Sequence, residues 1–381
     1  MKILIGVCGI GKGHCIRQFE ISKELIKRGH EVRILTYNEG VDFFKKTNLK
    51  TYNVYVPIIL FKGEKINWID CIKRNIFKFI PGVIKNRKIF RKLIKDGFIP
   101  DLCISDYEPV VARISYKLNK PLINVDQHSK FIYMKEDEIN GFSCVEEKRR
   151  LKLFFPKSEK KYSVSFYKIS KDLLPPNVEI LYPIIREDLK IVKKDNINTK
   201  TVIVYFSKFI DIPIEQKMEE IIEIFNKFED YKFLIFSSEH YNLNLDKGNV
   251  EIRKNDREDF VKNLGNCYCV ISTAGHTLIS EAFYCGVPFF AIPLPSFDQN
   301  YCAKFIKENE VGYSSNVITY ENLTEFLHNI KKYKENIKKC PNLVEKTDTI
   351  TYLADEIEKI SEGRWRHESD YLYRWTDRNK K

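Results

Sequence analysis

The chain has 381 residues, 43% of them hydrophobic and 13% aromatic, a length too great for one comfortable core and suited to two α/β domains. Lysine and arginine number 64 against 52 acids, so the net charge is +12. That excess allows nucleic acid, an anionic membrane surface or a polyanionic substrate as partner, and says nothing about fold. The ten cysteines form no CxxC pair, which argues against a disulfide framework and for reduced thiols in the cytoplasm. No signal-peptide layout opens the chain and no apolar run is long enough to span a bilayer, so contact with a membrane would be peripheral.

In chain order, Lys2 to Cys8 reads as a buried parallel strand, Gly9 to Gly13 as a loop, Ile16 to Arg28 as a helix stopped by Gly29, and Glu31 to Tyr37 as the next strand. This is a βαβ unit. The segment from Lys62 to Lys95 concentrates the charge, with eleven bases against two acids, and interleaves them with Trp68, Ile69, Ile72, Ile76, Phe77, Phe79 and Ile80. Pro81-Gly82 is expected to break it into two helical halves. Such a segment suits a phosphate-rich partner, at a membrane surface or on DNA or RNA; a core-facing helix pair with a solvated basic face is an equal reading.

Strands follow at Pro100–Ser105 and Leu122–Asp126, with a helix over Pro109–Leu118 between them. Arg186–Lys200 is polar and reads as a linker. A second alternation starts at Thr201, with a strand to Phe206, an amphipathic helix over Ile214–Phe228, and strands at Phe233–Ser237, Cys269–Ser272 and Pro288–Ile292. The expected domains are 1–185 and 201–355, with 186–200 as linker and 356–381 as a C-terminal helix and tail.

The first loop, Gly9-Ile10-Gly11-Lys12-Gly13-His14, lacks GxGxxG spacing. Gly11 and Gly13 let the backbone turn and approach a ligand. His14 falls at the carboxyl end of the first strand, where open α/β sheets bind ligands, and a neutral imidazole there can take a proton from a hydroxyl. Asp106 ends a parallel strand on the same edge, where it could accept the other imidazole N–H and fix the tautomer.

With Arg28-Gly29-His30-Glu31-Val32 after the first helix, the opening resembles the GT-B glycosyltransferases, in particular the UDP-glycosyltransferase family and the related MurG-type enzymes. The stretch from Ser272 to Ala282, then Cys285-Gly286-Val287-Pro288, Pro293, Asp298-Gln299 and Ala303, is similar to their donor-binding signature. The resemblance implies two Rossmann-like doubly wound parallel sheets facing across a cleft, with the acceptor on the side of 1–185, the donor on the side of 201–355, and 356–381 crossing back to the first domain. It implies inverting transfer from a nucleotide sugar, UDP-linked, to an acceptor hydroxyl, with no metal and no cofactor. It assigns His14 as base with Asp106, and Ser207, Gly275, His276, Thr277, Glu281, Asp298 and Gln299 to the donor: diphosphate at Gly275, Thr277 and Ser207, ribose hydroxyls at Glu281, sugar hydroxyls at Asp298 and Gln299. Thr273, His276 and Cys302 depart from the residues common in these families at those places. A sugar-nucleotide 2-epimerase, or a nucleic-acid-binding protein on a relic transferase fold, are the rival readings.

Overall fold

The computed structural model describes residues 1–381 except 59, 63–64, 156, 193–199, 207–217, 238–247, 255 and 362–381. Short apolar runs such as Ile3 to Val7, buried on both faces, make two all-parallel sheets. The first holds β1 (Lys2–Val7), β2 (Glu31–Thr36), β3 (Lys50–Asn53), β4 (Leu102–Asp106), β5 (Leu122–Asp126), β6 (Lys160–Val164) and β7 (Val178–Leu181) in the order 3-2-1-4-5-6-7. The second holds β8 (Thr201–Tyr205), β9 (Lys232–Ser237), β10 (Val250–Lys254), β11 (Cys269–Thr273), β12 (Phe289–Ile292) and β13 (Gly312–Ser314) in the order 10-9-8-11-12-13. The same strand order therefore appears twice, and each sheet reverses direction of winding once: between β1 and β4, and between β8 and β11. Loops at those two points leave the sheets side by side at their carboxyl ends.

The helices packed around the sheets include α1 (Lys12–Lys27), α2 (Trp68–Lys95), α3 (His276–Tyr284), α4 (Phe297–Glu308) and α5 (Thr349–Ser361). Of the expected amphipathic helix at Ile214–Phe228, Met218–Phe225 is helical and 214–217 lie outside the described residues. The chain returns to the first sheet at its end. Leu353, Ala354, Ile357 and Ile360 of α5 are buried with Ile3, Ile5 and Leu25, and Arg28, which caps the end of α1, binds Asp355 at 2.6 Å. Conversely Phe166, Tyr167, Tyr182 and Ile185, which follow first-sheet strands, are buried in the core of the second sheet with Ile203, Ile279 and Phe305. The two cores are thus tied by exchanged segments. Arg186, read from sequence as the start of a polar linker, is buried and lies 3.7 Å from Glu281.

The largest departure from expectation is α2. Pro81-Gly82 does not divide it: the helix runs unbroken through Pro81. A helical proline frees the carbonyl four residues back, here that of Phe77. Phe77 is 88% exposed, so water reaches that side of the helix. Gly82 serves close packing, since a Cβ there would run into the ring of Tyr55. Nor do the isoleucines face a core: Ile69, Ile72, Ile76, Ile80 and Ile84 all point to solvent.

Candidate active site

The first site element is the loop from β1 into α1. Gly9 is held because a Cβ would strike the carbonyl of Tyr37, and Gly11 takes φ +77°, a left-handed conformation that L side chains resist. No side chain caps α1 at Gly11. His14 follows in the first turn of the helix. Asp106 ends β4, level with Val7 of β1 in the sheet register. Adjacent strands at a winding reversal thus put the two side chains together, and His14 Nδ1 lies 2.7 Å from Asp106 Oδ1.

Two further α1 residues converge on the same carboxylate. Arg17 Nε donates to Asp106 Oδ2 at 2.5 Å and Arg17 Nη2 to Oδ1 at 2.8 Å, while Gln18 Nε2 donates to Oδ2 at 3.0 Å. Three and four residues beyond His14, they share its helix face, a periodicity that sequence reading could have used. Burial works against the charge of Asp106, but Arg17 and His14 more than offset it and hold its carboxyl far below the usual range. Arg17 Nη2 also lies 2.7 Å from His14 Nδ1. One ring nitrogen serves one of these partners at a time. With the proton on Nδ1 it donates to Asp106 and leaves Nε2 basic; with the proton on Nε2, Nδ1 accepts from Arg17.

Tyr107, directly after Asp106, has φ +58°, a costly conformation for an aromatic residue that aims its ring into the site. The ring lies 4.7 Å from that of His128, which is itself 5.6 Å from the ring of His14. His128 comes from the turn after β5, where Asp126 Oδ1 accepts the backbone N–H groups of His128 and Ser129. Burial, with His14 and Lys130 nearby, pushes the His128 pKa well down, so its ring is neutral. Lys130 in the same turn is fully buried, set over the rings of Phe131 and Tyr167, and burial lowers it to about 8. His128 and Lys130 were not among the sequence candidates. Their only signal was position, just past the carboxyl end of a parallel strand.

The second site element faces the first. α3 starts at Gly275 with no side-chain cap, so its first N–H groups and the helix dipole are directed to the cleft. A Cβ on Gly13 would stand 2.5 Å from Thr277 Oγ1, so glycine at 13 lets the two loops touch. Glu281, one turn on, is buried; burial raises its pKa to about 7 despite Arg186, and its Oε1 makes no hydrogen bond. Asp298, in the first turn of α4, accepts a 3.4 Å bond from Gln127, just past β5 of the first sheet, while its Oδ1 makes none. Burial raises its pKa, with Lys130 opposing.

Two residues expected at the donor also make contacts within the fold. Gln299 Oε1 accepts the backbone N–H of Leu294 at 2.9 Å, leaving its Nε2 as the free end. His276 packs its ring 4.9 Å from Phe166, and its Nε2 has no partner. Ser207 lies outside the described residues.

The chain matches the family described as Glycosyl transferase family 1 over residues 1–331. It is 25% identical over 323 residues to an uncharacterized glycosyltransferase of Methanosarcina mazei, covering 77% of this chain and 79% of that protein. It is 23% identical over 361 residues to a UDP-N-acetylglucosamine–N-acetylmuramyl-(pentapeptide) pyrophosphoryl-undecaprenol N-acetylglucosamine transferase of Rickettsia felis, covering 85% and 89%. The crystal structure of Acinetobacter baumannii MurG shares its fold, with a TM-score of 0.59 at 14% identity over 94% of this chain and 100% of that one. The chain therefore belongs to glycosyl transferase family 1, as a glycosyltransferase of GT-B architecture.

Proposed function

We propose that this enzyme moves a sugar from a nucleotide-sugar donor, UDP-linked by resemblance, to an acceptor hydroxyl with inversion at the anomeric carbon. The observation that carries the reading is the meeting of an uncapped helix start at Gly275 with the His14–Asp106–Arg17 cluster across the Gly13–Thr277 contact. The donor diphosphate would take the free N–H groups of α3, where a helix N-terminus favours negative charge. The ribose hydroxyls would donate to Glu281, whose Oε1 is buried without a hydrogen bond, and a sugar hydroxyl to Asp298 Oδ1.

In the transfer step, His14 Nε2 takes the proton of the acceptor hydroxyl, and Asp106 stabilises the imidazolium through Nδ1–H. The acceptor oxygen forms its bond to the anomeric carbon as the bond to the diphosphate oxygen breaks. The electron pair leaves with the diphosphate, whose growing charge the start of α3 stabilises. No step calls for a metal.

The test is thermal stabilisation by a panel of nucleotides and nucleotide sugars, on the wild type and Glu281→Ala. One nucleotide sugar should raise the melting temperature with concentration, and the variant should lose the shift. No shift for any nucleotide at millimolar concentration would sink the donor assignment. Conversion of the bound donor with no acceptor present would favour an epimerase.

A further inference from the structure

The turn after β5 buries a charge that neither the proton transfer nor the donor contacts described above employ. Lys130 stands in the five-residue 3₁₀ turn Ser129–Tyr133. Its backbone is fixed there. Asp126 accepts from the N–H groups of His128 and Ser129 and from the Ser129 hydroxyl, and the Lys130 N–H donates to Ser163 Oγ at 3.2 Å. The side chain is wholly buried, with Nζ 5.3 Å from the centre of the Phe131 ring and 4.9 Å from that of Tyr167. Among the described residues its one hydrogen bond goes to the carbonyl of Val164 at 3.4 Å, and no carboxylate pairs with it. Buried ammonium groups in proteins are ordinarily paired, because close partners must replace the water that the charge gives up. This one has two N–H donors left over.

The groups around it lack partners in a complementary way. Of the charges near Lys130, that of Asp298 acts on it most strongly. The two segments meet directly: the ring of Phe131 lies 5.5 Å from that of Phe297, and Gln127 Nε2 donates to Asp298 Oδ2 at 3.4 Å. Asp298 Oδ1 is buried without a hydrogen bond, and so are His276 Nε2 and the Tyr167 hydroxyl. The Tyr167 ring, which Lys130 covers, is 6.2 Å from that of His276. Native proteins leave few such atoms, yet these fall together where the first turns of α3 and α4 face the turn after β5.

We propose, on the reading of Asp298 as a sugar ligand, that Lys130 also binds the donor sugar, its ammonium and Asp298 Oδ1 sharing one sugar hydroxyl that accepts from the first and donates to the second. A hydroxyl suits a buried cation beside an unpartnered carboxylate oxygen, because one oxygen both accepts and donates. A carboxylate in that place would meet Lys130 well but would face Asp298 as a like charge. A sugar without the hydroxyl would leave the cation and the carboxylate oxygen both unsatisfied, and a site built around a substrate hydroxyl rejects the deoxy analogue for that reason. The substrate class is therefore an uncharged sugar with a free hydroxyl at the position that meets both groups. The cation comes from the first domain and the acid from the second, so the same hydroxyl ties the two domains together when the donor is bound.

The test measures binding of UDP, UDP-glucose, UDP-galactose, UDP-N-acetylglucosamine and UDP-glucuronate to the full chain by titration calorimetry, with melting temperatures alongside. Lys130→Met fills similar space without charge and should keep the melting temperature, since the ammonium gives up one long hydrogen bond and no ion pair. It should weaken the neutral UDP-sugar that the wild type binds by about tenfold to a hundredfold, and leave UDP within about twofold. Asp298→Asn should do the same, and the double variant should bind no more weakly than either single one, because both lose one shared hydroxyl. On the wild type, removing the hydroxyls of that sugar one at a time should reveal a position whose loss costs about tenfold or more. The proposal is overturned if Lys130→Met binds the sugar as well as the wild type does, or if it weakens UDP and UDP-sugar equally, which is the mark of a packing role. It is equally overturned if UDP-glucuronate is the donor that Lys130 holds, or if no deoxy analogue loses affinity. Failure of UDP and every UDP-sugar to bind the wild type would remove the donor reading and this one with it, whereas sugar binding unmoved by Lys130→Met removes this one alone.

Discussion

At the scale of single residues, the cluster around Asp106 joins chemistry and stability. Replacing His14 by alanine should cut transfer by about 10²–10⁴-fold, the usual contribution of a positioned proton acceptor, with donor-induced stabilisation retained. Retained turnover would remove His14 from the mechanism. Asp106→Asn should destabilise the chain by roughly 3–5 kcal/mol, because the buried guanidinium of Arg17 would lose its counter-charge. The pH dependence of this carboxylate has a defined sign. Its pKa is lower in the folded protein than in the unfolded chain, where it is about 4, so its stabilisation is complete above that value and is lost as pH falls below it. Acid unfolding of the Asp106→Asn variant should therefore be shallower, as followed by circular dichroism.

Glu281 has the opposite sign. Its folded pKa of about 7 lies above the unfolded value of about 4.3, so the folded state binds the extra proton and stability falls as pH rises between the two. Glu108, which caps a helix by accepting the N–H groups of Val110 and Val111 and is also raised to about 7, adds to the effect. Melting temperatures at pH 6 and pH 8 should differ less in Glu281→Gln than in the wild type. An equal difference would mean that Glu281 does not titrate in this range.

At the scale of elements, two close approaches set geometry. Gly13→Val would drive side-chain atoms into Thr277 and separate the loops. Donor affinity and turnover should both fall, and Thr277→Gly in the same chain should restore part of each; no rescue would mean that the contact does not govern the cleft. In α2, Gly82→Leu would overpack Tyr55 and should cost about 1–3 kcal/mol in denaturant unfolding. Both strand-to-helix units of the site were legible in the sequence, because apolar runs ended by glycine encode a strand and the turn after it. The continuity of α2 was not. Local rules read Pro81 as a break, but whether a helix survives a proline depends on which side its freed carbonyl faces, and that is set by packing against Tyr55 and Ile58.

At the scale of the molecule, the two sheets are held together by segments that each gives to the other. Truncating Leu353, which α5 buries under the first sheet, should cost about 2–5 kcal/mol although it lies far along the chain from that sheet. A loss well under 1 kcal/mol in denaturant unfolding would mean that α5 does not latch the first sheet.

Periodicity and glycine placement were enough to determine by themselves that this is a two-sheet α/β protein, since these are properties of short windows of chain, and the resemblance of the motifs from Ser272 to Ala303 to a known donor-binding signature pointed to a glycosyltransferase. They also brought His14 and Asp106 into consideration, because parallel strands share a carboxyl edge. Only the tertiary structure decided that Arg17, Gln18, His128 and Lys130 join that site, that the oxygen of Gln299 is engaged by Leu294, and that Ile69, Ile72, Ile76, Ile80 and Ile84 of α2 face outward. Each of these depends on which surfaces meet when distant segments pack, and no local pattern of residues carries that information.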